Sequence, residues 1–310
     1  MTTIANRWRA AATAGRAAAP LERRSLVWPY AALVTVALLW GFGPPISKLI
    51  TAPPLTVSFV RLWSSAVGMV LVQLVMRNRP SRAAFRGSVA GGLAFGANSL
   101  CFFYSLQNAS IATITVIMAL QPGLVMLAAS RLFGERITPR IVGWTAVAIG
   151  GAGLAVLGAG AKVHTNALGI ASSVGSLLCF SAFFLVSKQA RRTLGAGEYI
   201  MGAMTWAALL VTPVVALGGG LAHLDSVGRG DLFWVLVMFI GPGVGGQVLI
   251  GWTLRWVPVS LSAMVQLGAT AISIVAAWPI HSEVPTLAQL LGGAIALASV
   301  GAILRSASAD

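Results

Sequence analysis

The sequence predicts an all-α polytopic membrane protein whose ten transmembrane helices form two inverted five-helix repeats. Three observations predict this class. The 310 residues are 57% hydrophobic and only 9% charged, with a mean hydropathy of +0.86, so there is too little polar surface for a soluble domain. Apolar stretches long enough to cross a hydrocarbon core of about 30 Å recur along the chain. The second half also repeats the pattern of the first.

Hydropathy divides the chain into a tail and ten spans. Residues 1–27 are rich in alanine and arginine and contain no cleavable apolar segment, so we expect a disordered cytoplasmic tail. The first five spans form a repeat over residues 28–158, and the last five form a repeat over 167–305. The candidate spans fall near residues 28–50, 55–76, 84–107, 110–130, 139–158, 167–188, 198–218, 232–254, 258–280 and 286–304.

The distribution of positive charge predicts the orientation. With the N-terminus inside, only Lys162 and Arg229 of the 21 Lys and Arg residues fall in outer loops, while Lys48 and Arg61 fall within spans. The positive-inside rule therefore predicts a multi-pass protein with both termini in the cytoplasm. The net charge of +14 is scattered over short loops, so we expect no nucleic-acid partner.

A shift of 148 positions aligns the two halves without a gap across three spans. It places Glu135 on Glu283 and Thr138 on Thr286. Because each half contains an odd number of spans, the halves must lie in the membrane in opposite orientations. Secondary transporters built in this way bind their substrate near the midplane, between the halves.

No acidic side chain lies in the middle of a predicted span. All seven Asp and Glu residues fall in loops, tails or span ends, and the three His residues map to the outer side. The spans therefore offer neither a general base nor a metal-ligand cluster, and we expect no enzyme activity, metal or cofactor. Cys101 and Cys179 lie in apolar spans without spaced Cys or His partners. The same absence predicts transport without carboxylate-based proton coupling.

Neutral polar and aromatic residues within the spans are candidates for a binding site. Interhelical hydrogen bonding or core packing is the alternative explanation for each of them. Arg61, about a quarter of the way into its span, is a possible anion contact, and the alternative is that it snorkels to the interface. The predicted substrate-binding residues are Trp40, Pro44, Asn98, Phe180, Gln247, Gln266 and Thr270.

Proline and glycine interrupt several spans. Proline removes a backbone donor, and within a membrane such a break is typical of a hinge or a cavity lining. The predicted hinge residues are Pro122, Gly123, Gly241 and Pro242.

Three motifs resemble those of EamA-type members of the drug/metabolite transporter superfamily. The stretch from Ala109 to Thr138 combines a mid-helix LQP with LFGERIT and is similar to the fourth helix of that family. LLWGFGPPISK (Leu38 to Lys48) and PLTVSFVRLWSSA (Pro54 to Ala66) resemble its first and second helices. The second repeat departs from the pattern, because HSEVPT replaces FGERIT and Thr270 stands where the first repeat has Pro122. A hinge at Pro122 is therefore not mirrored.

The resemblance implies a carrier that exports small metabolites by alternating access. The chain looks most like the amino-acid exporter branch, which implies aromatic or other hydrophobic amino acids as substrates. A drug or sugar-phosphate carrier and a lipid flippase are the alternatives within the superfamily. The implied partners are a small-molecule substrate and the lipid bilayer, and we expect a monomer or a weak homodimer.

Overall fold

A computed structural model describes residues 27–47, 49–77, 81–109, 111–135, 137–157, 166–281 and 285–309. Within these ranges all regular structure is helical and no strand occurs, which confirms the all-α prediction for this part of the chain. The predicted N-terminal tail up to residue 26, Lys48, Lys162 and Glu283 lie outside the described residues.

The helices follow one another with short connections. Those of the first half are α1 (Val27–Ser47), α2 (Pro54–Val75), α3 (Arg82–Gly87), α4 (Val89–Asn108), α5 (Ile111–Ala119), α6 (Gln121–Phe133) and α7 (Pro139–Leu157). Those of the second half are α8 (Ala167–Ala190), α9 (Ala196–Leu217), a 3₁₀ helix (Gly220–Ser226), α10 (Arg229–Met238), a π-helix (Phe239–Gly245), α11 (Gly246–Thr253), α12 (Val259–Ala263), α13 (Val265–His281) and α14 (Leu287–Ala309).

Six helical stretches among the described residues are long and apolar enough to cross a membrane. They are Trp28–Ser47, Leu55–Val75, Ala167–Ala190, Ala196–Leu217, Arg229–Thr253 and Val259–Ile280. Shorter apolar helices cover Val89–Ser105, Ile117–Phe133 and Leu287–Ile303. The chain is therefore a multi-pass membrane protein, while the total of ten crossings stays a prediction from the sequence.

Large apolar side chains cover the outside of the bundle. Leu217 is 90% exposed and Val75 is 82% exposed. Apolar exposure on this scale would cause association in water, whereas lipid tails solvate it. The exposed surface thus has the chemistry that a bilayer requires.

The helices pack in pairs drawn from both halves of the chain. α4 contacts α8 and α9, α1 contacts α13, and α7 contacts α14. Glycine permits the closest approaches: a Cβ on Gly92 would lie 2.6 Å from the Ala203 carbonyl oxygen, and one on Gly292 would lie 2.4 Å from that of Gly151. Such contacts between backbones are typical of helices in membranes, where small residues at the interface allow close packing.

Four of the predicted spans are interrupted. The span 84–107 is divided at Ser88, between α3 and α4. Between α5 and α6, the Leu120 N–H donates to the Ile117 carbonyl at 3.1 Å, a tight turn just before Pro122. Between α10 and α11, the π-helix surrounds Pro242. The ninth predicted span is divided at Met264, so Ser262 lies in α12 and not in the helix of the other polar residues of that span.

Candidate functional site

An aromatic cluster lies where α1, α4 and α8 meet. Its members are Trp40, Phe95, Phe180, Phe183 and Phe184. The Trp40 ring centroid is 6.1 Å from that of Phe180 and 6.3 Å from that of Phe184. Phe95 is 5.1 Å from Phe183. The three phenylalanines of α8 are at most 8% exposed, whereas Trp40 is only partly buried. Aromatic pairs of this geometry contribute about 0.5–1.5 kcal/mol each beyond the burial of their area.

Trp40 also binds the broken segment between α10 and α11. Its indole N–H donates to the Pro242 carbonyl at 3.0 Å. A Cβ on Gly246 would lie only 2.4 Å from the indole nitrogen, so the ring can reach this carbonyl because residue 246 is glycine. Single π-helical turns inside helices are frequent at functional sites. The predicted hinge residues Gly241 and Pro242 therefore lie next to the aromatic cluster.

The predicted polar site residues lie in different surroundings. The Asn98 side-chain oxygen accepts a hydrogen bond from Ser176 at 2.8 Å, which joins α4 to α8. The Thr270 hydroxyl donates to the Gln266 carbonyl at 3.0 Å, so it is bonded within its own helix, α13. Gln247 is 7% exposed, and its side-chain oxygen has no hydrogen-bond partner among the described residues. Of these residues, Gln247 best fits the prediction of a substrate-binding side chain, because its oxygen is not bonded within the described structure.

Neither Pro44 nor Arg61 has a side-chain hydrogen bond or ring contact with the aromatic cluster among the described residues. Pro44 is exposed near the end of α1. Arg61 is partly buried in α2, and no hydrogen bond or ion pair joins it to a residue that the structure describes. An arginine in a span costs roughly 2.5–3.5 kcal/mol on insertion scales unless it reaches the interface or a partner. Both explanations given for Arg61 by the sequence therefore stay open.

One functional candidate was missed by the sequence analysis. Gln121, the first residue of α6, is 0% exposed. Neither its amide nitrogen nor its amide oxygen has a hydrogen-bond partner among the described residues. Leaving a buried amide without a partner costs about 1–3 kcal/mol. The available signal was a glutamine in the middle of an apolar span, beside the predicted hinge at Pro122 and Gly123.

Asp231 connects the chain between α1 and α2 to the start of α10. Its carboxylate accepts the backbone N–H of Thr51 at 2.8 Å and the Thr51 hydroxyl at 3.3 Å. It also accepts the Gly228 N–H at 3.3 Å, which caps α10. Asp231 is 6% exposed. This Thr51–Asp231 contact closes the bundle at the end where α10 begins.

Glu135 makes a similar contact at the opposite end of the stretch 229–253. Gly134 ends α6 in the left-handed conformation, with φ of 65°. The next residue, Glu135, accepts the Val259 N–H at 2.7 Å, the Ser260 N–H at 3.3 Å and the Ser260 hydroxyl at 2.5 Å. The Glu135–Ser260 contact therefore ties the end of α6 to the start of α12.

Basic residues at the C-terminal end of α8 strengthen the same end of the bundle. The Lys188 ammonium donates to the Val257 carbonyl at 2.6 Å. The Arg191 guanidinium donates to the carbonyl of Gly251 at 2.6 Å and also to that of Leu194. Burial lowers the pKa of Arg191, and the nearby charge of Arg255 lowers it further. These bonds hold the turn between α11 and α12 against α8.

A narrow apolar gap lies just inside this end, between α8, α9 and α11. It has about 180 Å³ of empty space and is too narrow for a water molecule. Phe184, Ile200 and Leu254 are among the residues that line it. The described residues thus show a bundle that is tied at both ends.

The apolar surface, the interrupted helices and the contacts between halves define a polytopic membrane protein. The model of the EamA-like transporter family matches residues 27–157. This match to the first half of the chain supports a membrane transporter of the drug/metabolite transporter superfamily. A family of transporters also fits the expectation that the chain is not an enzyme.

The chain also shares its fold with a protein of known crystal structure. The two sequences are 17% identical, the TM-score is 0.76, and the similarity covers 92% of this chain and 99% of that chain. At this identity the likeness concerns the fold alone. No curated protein matches the sequence.

Proposed function

We propose that the protein exports aromatic or other hydrophobic amino acids across the inner membrane by alternating access. In this proposal the halves 28–158 and 167–305 are inverted repeats, and both termini are cytoplasmic. The match to the family model supports a small-molecule carrier in a lipid bilayer. The substrate class rests on the residues of the site.

The observation that carries the proposal is the position of Trp40. It contacts Phe180 and Phe184 of the second half and donates to Pro242 in an interrupted helix of that half. An aromatic wall can bury an apolar side chain, while nearby amides such as Gln247 bind polar groups. Under a shift of 140 positions Trp40 aligns with Phe180. Their contact supports a pseudo-two-fold axis through the cluster.

The charges support exchange down a gradient. The acidic residues in the described spans are Glu198 and Asp231, and both lie in the first turn of a helix. The described spans therefore contain no carboxylate at mid-depth that could take up and release protons. Arg61 is a proposed anion contact near the outer end of α2, away from the midplane.

Counterflow into liposomes that contain the purified protein tests the proposal. Liposomes preloaded with unlabelled phenylalanine are expected to accumulate labelled phenylalanine, and a protonophore is expected to leave the rate unchanged. Trp40→Leu removes the aromatic ring but keeps apolar volume, and it should weaken the apparent affinity about tenfold. Trp278→Leu is the matched control, because Trp278 is 54% exposed on the outside of the bundle.

Each part of the proposal has an outcome that contradicts it. Equal kinetics in the two tryptophan variants would remove Trp40 from the site. Loss of uptake on addition of the protonophore would contradict the uncoupled mechanism. Competition by a sugar phosphate, a cationic drug or a phospholipid, without competition by amino acids, would favour the corresponding alternative substrate class.

A further inference from the structure

Gln121 lies near the middle of the membrane span that α5 and α6 form together. At about 1.5 Å per residue it lies roughly 15 Å from Ile111 and roughly 18 Å from Phe133. The two helices contact α8, the helix that carries Phe180. Gln121 therefore lies at the depth of a midplane site, beside a helix that contributes to the aromatic cluster.

The side chain of Gln121 is unusual because both ends of its amide are unused. It is 0% exposed, and its nitrogen and oxygen both lack a hydrogen-bond partner among the described residues. Buried hydroxyls of the spans are bonded: Ser58 pairs with Ser99 at 2.9 Å, and Ser187 pairs with Tyr199 at 2.7 Å. Among the described residues, the only other buried side-chain atom without a partner is the oxygen of Gln247. A buried amide with neither end bonded, as in Gln121, calls for a ligand.

The chemistry of a primary amide indicates which ligand. Its NH₂ group offers two donors and its oxygen accepts. An amino-acid zwitterion presents the complementary set, because its carboxylate accepts and its ammonium donates. Pro122 and Gly123 follow directly, and the missing donor of Pro122 weakens the helix at this point. The backbone can therefore bend where the amide would meet its ligand.

We propose that Gln121 is the residue that binds the α-carboxylate and α-ammonium groups of the transported amino acid. This inference rests on the proposed function and assigns its polar subsite. The amide donates to the carboxylate and accepts from the ammonium, while the aromatic cluster contacts the side chain. Gln121 thereby distinguishes an amino acid from the amine that lacks its carboxylate.

The test compares two apolar variants with a control. Gln121→Met is close in shape to glutamine, and Gln121→Leu provides a second apolar side chain. Gln73→Leu is the control, because Gln73 is 3% exposed but has an interaction partner. In purified protein without substrate, both Gln121 variants should raise the Tm by about 2–4 °C, since an unsatisfied amide is removed. The Gln73 variant should lower it.

Transport supplies the second measurement. In phenylalanine counterflow, both Gln121 variants should lose apparent affinity about tenfold. Inhibition by phenethylamine, which has the same ring and ammonium but no carboxylate, should weaken by a smaller factor, because it loses only the bond from its ammonium. A lower Tm with unchanged phenylalanine affinity would assign Gln121 a purely structural role and overturn the inference.

The outcome also separates this inference from the proposed function. If the wild-type protein exchanges phenylalanine and the Gln121 variants keep its full preference for phenylalanine over phenethylamine, only the role of Gln121 is overturned. Wild-type protein that exchanges no amino acid overturns the proposed function and the assignment together.

Discussion

Glu135→Gln tests whether one carboxylate holds the α12 end of the bundle closed. The carboxylate accepts three hydrogen bonds from Val259 and Ser260, at 2.7, 3.3 and 2.5 Å. Glutamine keeps one acceptor oxygen, loses the charge and places an NH₂ group beside backbone N–H groups. The variant therefore weakens the contact between α6 and α12 without removing the side chain.

The magnitude follows from these bonds. A hydrogen bond to a charged group contributes about 1.5–3 kcal/mol. Because Glu135 is partly exposed and glutamine retains one acceptor, we expect a net loss of about 2 kcal/mol. At about 1.4 kcal/mol per factor of ten, the population open at this end should rise about thirtyfold.

Labelling of a buried cysteine measures this population. Leu254 lines the apolar gap inside the Glu135–Ser260 contact and is 1% exposed. Leu254→Cys is introduced after Cys101 and Cys179 are replaced by alanine, and the protein is reacted with a maleimide in nanodiscs. Glu135→Gln should accelerate the labelling about thirtyfold when opening limits access.

Glu198→Gln is the control for charge. Glu198 lies in the first turn of α9 and makes no hydrogen bond to a residue that the structure describes. Its replacement should leave the labelling rate at Leu254→Cys unchanged. If Leu254→Cys is labelled at the same rate with Glu135 and with the Glu135→Gln substitution, the reasoning that this carboxylate holds the α12 end of the bundle closed is refuted.

The remaining predictions concern three close contacts. Gly246→Ala places a Cβ 2.4 Å from the Trp40 indole nitrogen, so it should lower the apparent affinity for phenylalanine in counterflow at least about fivefold. Gly43→Ala is the control and should be tolerated, because its Cβ would lie 3.8 Å from Pro242. Asp231→Ala removes the bonds to Thr51 and should speed maleimide labelling of Ala52→Cys; an unchanged rate would contradict closure by this contact. Gly292→Val should lower the Tm of the purified protein, because even a Cβ would lie 2.4 Å from the Gly151 carbonyl oxygen.

Local features of the fold were predictable from the sequence. The helical class follows from apolar stretches that must satisfy their own backbone in lipid. The interruptions near Pro122 and Pro242 were also predictable, because proline lacks a backbone donor whatever its surroundings. The break at Met264 carries no such residue, and no pattern in the sequence indicates it.

The candidate site was less predictable because its contacts join distant parts of the chain. Asn98 was a candidate substrate-binding residue, with interhelical hydrogen bonding as the alternative, and Ser176 of another helix donates to its oxygen. Glu135 was assigned to a loop, and its partner Ser260 lies 125 residues further along the chain. For Gln121, the decisive property is the lack of a partner, which becomes visible only once every neighbour has a position.

The contacts made by Asp231 and Glu135 limit leakage through the bundle. They lie at opposite ends of the stretch 229–253, about a membrane thickness apart, so their free energies should add. If each contributes about 2 kcal/mol, breaking both together costs about 4 kcal/mol, and the doubly open state is about a thousandfold rarer than the closed one. Under the proposed alternating access, two such closures would let a solute enter from one compartment at a time.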